Sequence, residues 1–354
     1  MSKDLPTLRD LARAANMSVA TVSMALHNNP RIKSETRTRI HALAKEMGYQ
    51  PDPHLSDLMG YLRKGRTSTF RETIAFVSKM PFDAFQEYDT FRKQFTGAAK
   101  RASDLGYSVE YHAVSSSMSE SRLASVLRSR GIRGVIALPQ IDPDGKSQGY
   151  ERFPWQYFAS VAIGFSCPTP PTHRVISDQI QSMHIAMTSL RNLGYHRPGL
   201  VMDQWRDDRL RNHLTAGFLS CLHRNYARKN HIPMMMEPLN KQGLLDWYRR
   251  WQPDVIIGPD VEGAVNFLKK SSASPTEEIA FATLDKQISG KWSHHAGIWQ
   301  PAMEVGTIAM DILIGCLTRH EIGLPTRPQV VLLPAAWMDG ESAPPRNVGK
   351  TVSR

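Results

Sequence analysis

Between Arg71 and Met338 the chain repeats one texture: short apolar runs (TIAFV, SVEYHAV, GVIAL, SVAIGF, PGLVM, DVIIG, IAFATL) separated by amphipathic stretches of helix length. Each run is too short for a helix and most are apolar on both faces, which suits a strand covered above and below. A strand buried on both faces, followed by a helix that carries the chain back, is the unit of a parallel α/β sheet. Six or more such units are too many for one small sheet and suit two similar lobes, divided near Ser166 to Pro171 in GFSCPTPPTH. The sequence contains no strict repeat. A composition of 354 residues, 41% of them hydrophobic, is ample for more than one core.

The first 50 residues differ, with helical spacing throughout and no alternating β-branched pattern. Thr7 can cap a first helix, with Asp10 three residues on, and Leu8, Leu11, Ala12 and Ala15 share a face. A turn at Asn16 and Met17 leads to Ser18, a second cap, and to a helix ending near Asn28-Asn29-Pro30. Ser34 opens a third, whose apolar face is Ile40, Leu43, Ala44 and Met47, before Gly48 stops it. Residues 51–71 (PDPHLSDLMGYLRKGR onward) read as a linker with one marginal apolar helix. The Pro-, Gly- and charge-rich residues 341–354 read as a disordered tail.

Charge narrows the partners. The chain carries 44 Lys+Arg against 33 Asp+Glu, a net +11, and residues 1–70 hold 11 of the cations against 6 anions, an excess of +5. A cationic helical module favours a polyanion such as DNA, with binding that falls steeply as salt rises. No apolar h-region opens the chain and no window approaches about 18 uncharged apolar residues, so neither export nor membrane spanning is expected. Cys167, Cys221 and Cys316 are odd in number and far apart, which fits a reducing, cytoplasmic setting.

Enzyme signatures fail on inspection. Gly145-Lys146-Ser147 resembles the end of a phosphate loop, yet Gln140 stands where that loop needs glycine. There is no H-E-x-x-H, G-x-S-x-G or G-x-G-x-x-G, and His294-His295 is expected to face solvent and not a metal. No catalytic residue, metal or cofactor is expected.

Two short helices joined by a tight turn, the second opening on small polar residues, describe a helix-turn-helix whose second helix enters the major groove. The stretch TLRDLARAANMSVATVSMALHNNPRIKSETRTRIHALAKEMGYQPD resembles, without a gap from Thr7 to Pro51, the headpiece of the lactose-repressor (LacI/GalR) family: T-L-x-D-(V/L)-A, V-S-x-x-T-V-S, T-R-x-x-(V/I), G-Y-x-P-N. Farther along, LRNLGYHRPGLVM, TAGFLSCL, PDVIIGPDVEGAV, IAFATLD and GIWQPAMEVGTIAMDIL fall in that family's order.

The resemblance implies an all-α headpiece at 1–50, a hinge at 51–71, and at 72–340 a regulatory domain of two parallel-sheet lobes similar to periplasmic binding proteins. Lobe 1 would take about 72–166 plus 303–328, and lobe 2 about 167–302 plus 329–340. Thr7, Ser18, Thr21, Ser23, Arg31, Lys33 and Thr36 would contact phosphates, which position without reading sequence. Val19, Ala20 and Met24 occupy the base-reading places, but many relatives carry Arg where Met24 stands and polar residues beside it. Apolar readers leave thymine methyl contacts as the main source of discrimination. In the hinge Leu58 would wedge into the minor groove, with Met59 in place of the usual alanine. For an effector between the lobes the resemblance points to Asp260, Gln300 and Trp299, and less directly to Arg211. Relatives place an arginine where Leu214 stands, and several an acidic ligand where Gly164 stands.

The expectation is a homodimeric, cytoplasmic transcriptional repressor that binds double-stranded operator DNA, controlled by a small molecule of sugar type. The alternative is a cytoplasmic sugar-binding sensor whose headpiece makes protein contacts.

Overall fold

The computed structural model describes residues 8–26, 30–47, 72–138, 140–141, 147–167, 170–236, 240–259, 261–271, 279–286, 288, 290 and 293–346. In the headpiece, α1 (Leu8–Ala14), α2 (Val19–Leu26) and α3 (Ser34–Met47) close on Leu11, Ala12, Val22, Ala25, Ile40 and Ala44. The turn between α1 and α2 is made by Asn16, which adopts φ 52. Met17 N donates to Ala12 O (3.0 Å) and Asn16 N to Arg13 O (3.1 Å), the paired bonds of a Schellman motif. Asparagine tolerates this left-handed conformation better than other residues with a side chain, so the turn is tight without glycine.

The body contains two sheets. In the first, β1 (Thr73–Ser78), β2 (Ser108–Ala113), β3 (Gly134–Ala137), β6 (Ala159–Ile163), β7 (His173–Ser177) and β12 (Val330–Leu333) run in the order β12-β7-β6-β3-β1-β2, all parallel. A two-stranded ribbon of β4 (Gln140–Ile141) and β5 (Ser147–Gln148) stands beside it. In the second, β8 (Pro198–Leu200), β9 (Val255–Gly258), β10 (Phe281–Thr283), β11 (Gly297–Trp299) and β13 (Ala336–Met338) run β13-β11-β10-β9-β8, with β13 alone antiparallel.

Helices cover both sheets: α4 (Phe82–Glu87), α5 (Asp89–Asp104), α6 (Glu120–Ser129) and α12 (Ala302–Thr318) on the first, and α7 (Gln179–Asn192), α8 (Gln204–Arg209), α9 (His213–Asn225), α10 (Lys241–Trp251) and α11 (Val261–Lys270) on the second. Among the described residues no helix is long and apolar enough to cross a membrane.

Two boundaries differ from expectation. The first sheet continues past residue 167: β7 pairs with β6 (Val161 opposite His173), and β12, assigned by sequence to lobe 2, pairs with β7 (Val331 opposite Val175). The run HRVIS is short and follows three prolines, which hid it as a strand. The chain therefore passes between lobes after β7, after β11 and after β12. The tail also departs from expectation as far as Arg346. Ser342 Oγ donates to Phe281 O (2.8 Å), Tyr195 Oη to Pro344 O (2.8 Å), and Ala343 is buried. These contacts give residues 341–346 an ordered path that composition cannot show. The remainder, 347–354, lies outside the described residues.

One helix crossing fixes lobe 1 beside the interlobe gap. On α5 and α12, Gly97 and Gly306 face each other's backbones so closely that a Cβ on Gly306 would lie 1.8 Å from Gln94 O, and one on Gly97 2.0 Å from Met303 O. The start of α5 is held from its other side by Phe76, Phe85, Phe95 and Tyr111, packed with ring centroids 4.6–6.5 Å apart.

Candidate functional site

On the headpiece, Ser18 caps α2: its Oγ accepts from Thr21 N (3.1 Å) and lies 2.8 Å from Thr21 Oγ1. The hydroxyls read as phosphate contacts thus also shape the helix start. Val19 is 41% exposed, an apolar side chain in water at the first turn of α2, and Met24 is half-buried. Arg31 and Lys33 are exposed just before α3 and Thr36 is half-buried within it. Ala20 and Ser23 lie on α2, but their side chains are outside the described part of the structure. Thr7, Leu58, Met59 and Asp260 are outside the described residues.

Between the lobes lies a cavity of about 190 Å³. Lobe 1 lines it with Thr90, Phe91 and Gln94 of α5, with Gly164, Phe165 and Ser166 after β6, and with Ser177 of β7. Lobe 2 contributes Arg206 and Arg209 of α8, Leu214, Pro259 after β9, Asp285 after β10 and Gln300 after β11. Apart from Thr90, Phe91, Gln94 and Leu214, these residues sit at or beyond the carboxyl ends of parallel strands, where open α/β sheets place ligands.

Gln300, expected from the sequence, lines this cavity. Its Nε2 donates to Leu284 O (3.0 Å), which leaves a buried Oε1 without a hydrogen-bond partner. Trp299, beside Gln300, lines a much smaller adjoining recess that it shares with Gln300, Asp285 and Lys286. Arg211 is not in the lining of the main cavity. It sits in a left-handed turn (φ 57) with its guanidinium 4.5 Å from the Phe165 ring, covering one wall.

The sequence reading missed Arg206 and Arg209. They are three residues apart and therefore on one face of α8, a spacing visible in WRDDR. Both guanidiniums flank Trp205, at 4.8 and 5.0 Å from its ring. Between them Asp207 is buried, and its Oδ1 accepts from Thr215 N (3.3 Å) at the start of α9, which fixes how α8 meets α9.

Two departures noted in the sequence gain a physical setting. Gly164 has φ 76, and its carbonyl accepts from Arg174 Nη1 (3.0 Å), so a carboxylate side chain there would carry backbone strain. Leu214 is buried and turns an apolar surface to the cavity. His294 is exposed as expected, but His295 is buried, with Nδ1 3.1 Å from Glu262 Oε1, and burial holds its ring below the usual histidine range.

Comparison with known proteins agrees with these two parts. Residues 7–52 match the model of bacterial regulatory proteins of the lacI family. The chain is 26% identical over 194 residues to the HTH-type transcriptional regulator DegA of Bacillus subtilis (strain 168), covering 53% of this chain and 52% of that protein. The match thus spans about half of that curated relative's length. Among solved structures, the transcriptional regulator CelR in complex with cellobiose is 19% identical, with a TM-score of 0.56 over 95% of this chain and 99% of the other. The lac repressor dimer bound to operator and the anti-inducer ONPF is 16% identical, with a TM-score of 0.54 over 96% and 99%. At these identities the structural likeness is one of fold.

Proposed function

We propose that this chain belongs as a whole to the LacI/GalR family, whose model its residues 7–52 match, and is a homodimeric, cytoplasmic transcriptional repressor that binds double-stranded operator DNA and answers to a sugar-type small molecule. The observation that carries the reading is the pairing, in one chain, of a helix-turn-helix whose second helix exposes Val19 with a cavity lined from both lobes. Two headpieces related by a twofold axis would meet adjacent half-sites of a near-palindromic operator. Ser18, Thr21, Ser23, Arg31, Lys33 and Thr36, with Thr7, would hold phosphates, and Val19, Ala20 and Met24 would face base edges. Leu58 and Met59 of the hinge would supply the minor-groove wedge.

Because the cavity is lined by both lobes, a ligand that fits it best at one interlobe angle shifts the population toward that angle. The chain passes between lobes after β7, β11 and β12, so the angle is a property of the whole body. Coupling to the hinge at 51–71 would make ligand and operator affinities interdependent by a common factor. The apolar base-reading set predicts an operator with thymine favoured at one contacted position.

Truncation tests the reading. Residues 72–354 should keep ligand binding and lose operator binding, whereas full operator affinity in that fragment would refute it and return the headpiece to a protein-contact role. Selection from random DNA that returned a fixed guanine opposite Met24 would refute the apolar readout.

A further inference from the structure

The two walls of the interlobe cavity differ in kind. The charged side chains among its described lining residues, Arg206, Arg209 and Asp285, all stand on lobe 2. The wall of lobe 1 is uncharged: Thr90, Gln94, Ser166 and Ser177 supply hydroxyls and an amide, and the rest, including Phe91 and Ile176, is apolar. A charged ligand group pressed on that wall would give up its water and meet no opposite charge there. Hydroxyls fit it, because each donates to one neutral group and accepts from another.

Gln94 is the member of this wall that packing does not explain. Four residues of α5 are buried, and the other three are Gly97, Ala98 and Ala102, all small and apolar. Gln94 is 8% exposed, yet its Oε1 has no hydrogen-bond partner. A buried acceptor left unpaired is costly, and an unbranched apolar side chain would fill the same space without that cost. The amide therefore needs a reason outside the packing of the helix, and the cavity it lines supplies one.

The main chain of Gln94 is fixed while its amide is not. Its carbonyl oxygen lies so close to Gly306 that a Cβ there would sit 1.8 Å away, so the crossing of α5 and α12 sets where the side chain starts. Thr90 and Phe91, four and three residues earlier, share its face of the helix and the same lining. The terminal torsion of a glutamine is broad, so a turn of the amide brings Oε1 to a donor in the cavity at little cost. Such a group is precise at its base and adjusts at its tip.

We infer that Gln94 is a specificity-determining residue of the effector site: its amide accepts from one hydroxyl on an uncharged edge of the ligand that lies against the wall of lobe 1. This inference rests on the effector reading proposed above.

The test is calorimetric titration of the full chain with D-glucose, D-galactose, D-xylose, D-ribose and myo-inositol, followed by the monodeoxy analogues of whichever binds most tightly. One monodeoxy analogue should bind about tenfold or more weakly than its parent, because it leaves the Gln94 oxygen unpaired. The Q94M variant should weaken the intact ligand about tenfold or more, and should separate it from that same analogue by less than about threefold, since the hydroxyl has then lost its reader. Without ligand, Q94M should melt about 2–4 °C above the parent, because a buried unpaired oxygen has been exchanged for an apolar side chain. Binding by none of the five, a full deoxy penalty retained in Q94M, or Q94M that melts lower and keeps its ligand affinity overturns the inference; the last result would make the amide a structural group. Operator binding measured in parallel separates the two readings. A parent chain that discriminates the deoxy analogue and binds no operator sinks the regulator reading alone, and a ligand that alters operator affinity equally in the parent and Q94M sinks this inference alone.

Discussion

Replacing Gly306 with alanine sets two effects of opposite sign against each other. Within a helix, alanine is favoured over glycine by about 0.8–1.0 kcal/mol, so propensity alone predicts a gain. The new Cβ, however, would lie 1.8 Å from Gln94 O, 2.7 Å from Gln94 C and 3.0 Å from Ala98 N. All three are backbone atoms of α5, so no side chain can rotate away, and the helices must separate by roughly 1.5 Å to restore ordinary contact. The reciprocal approach at Gly97, where an added Cβ would lie 2.0 Å from Met303 O, blocks relief by tilting. Overpacking in a filled core costs about 1–3 kcal/mol, and a clash with immovable backbone belongs at the top of that range. The expected net loss is about 2 kcal/mol, or a fall in Tm of about 4–8 °C for a body of this size. Gly263, on the exposed face of α11, has nothing within 4 Å of its added Cβ and provides the control. There the propensity term acts alone, and G263A should raise Tm by about 2–4 °C. Thermal melts of both variants beside the parent decide the matter. A G306A protein as stable as the parent, with G263A behaving as expected, would show that the α5–α12 crossing yields to a methyl group and would refute the reasoning.

Three further outcomes follow from charge and burial. His112, His173 and His295 are each held below the usual value of 6.5, mainly by burial, so the unfolded chain takes up protons first. Their contribution to stability is complete above that value and is lost as pH falls below it; Glu110 and Glu321, held low by Arg130 and Arg319, add a second loss below about 4.5. Tm measured from pH 7.5 to 4 should therefore decline, and a flat profile would contradict the burial of these rings. Cys167, Cys221 and Cys316 are buried, with the Cys167 thiol pushed up to about 12 and that of Cys316 to about 11, so a thiol reagent at neutral pH should label none of them until the protein is unfolded. In the headpiece, R31A and K33A should each weaken every DNA sequence alike and reduce the slope of log K against log salt by about 1; loss confined to one operator would place these cations on bases.

Much of this architecture was legible as periodicity. Buried parallel strands must be apolar on both faces, so TIAFVS and DVIIG declare themselves, and the Ser18 cap of α2 and the apolar faces of the headpiece helices follow from chemistry within a few residues. The headpiece was the most readable part because its function needs residue types at fixed local spacing. Local pattern fails where the partner is distant. Strand β7, HRVIS, became legible only through its pairing with β6 and β12, and residues 341–346, polar and proline-rich, are ordered by contacts with Tyr195 and Phe281. The interlobe cavity depends most on such distant placement. Gln94 of α5 and Gln300 after β11 are 206 positions apart and line one cavity, beside the place where Gly97 and Gly306 let α5 and α12 touch backbone to backbone. The sequence by itself determined which elements form and that the headpiece belongs to a DNA-binding type, because those are consequences of local periodicity and capping. Tertiary structure alone decided which side chains face one another across the lobes, because a cavity between two sheets is made by long-range packing: it set Arg206 and Arg209 in the lining, Arg211 over the Phe165 ring, and Trp299 beside Gln300 in the adjoining recess.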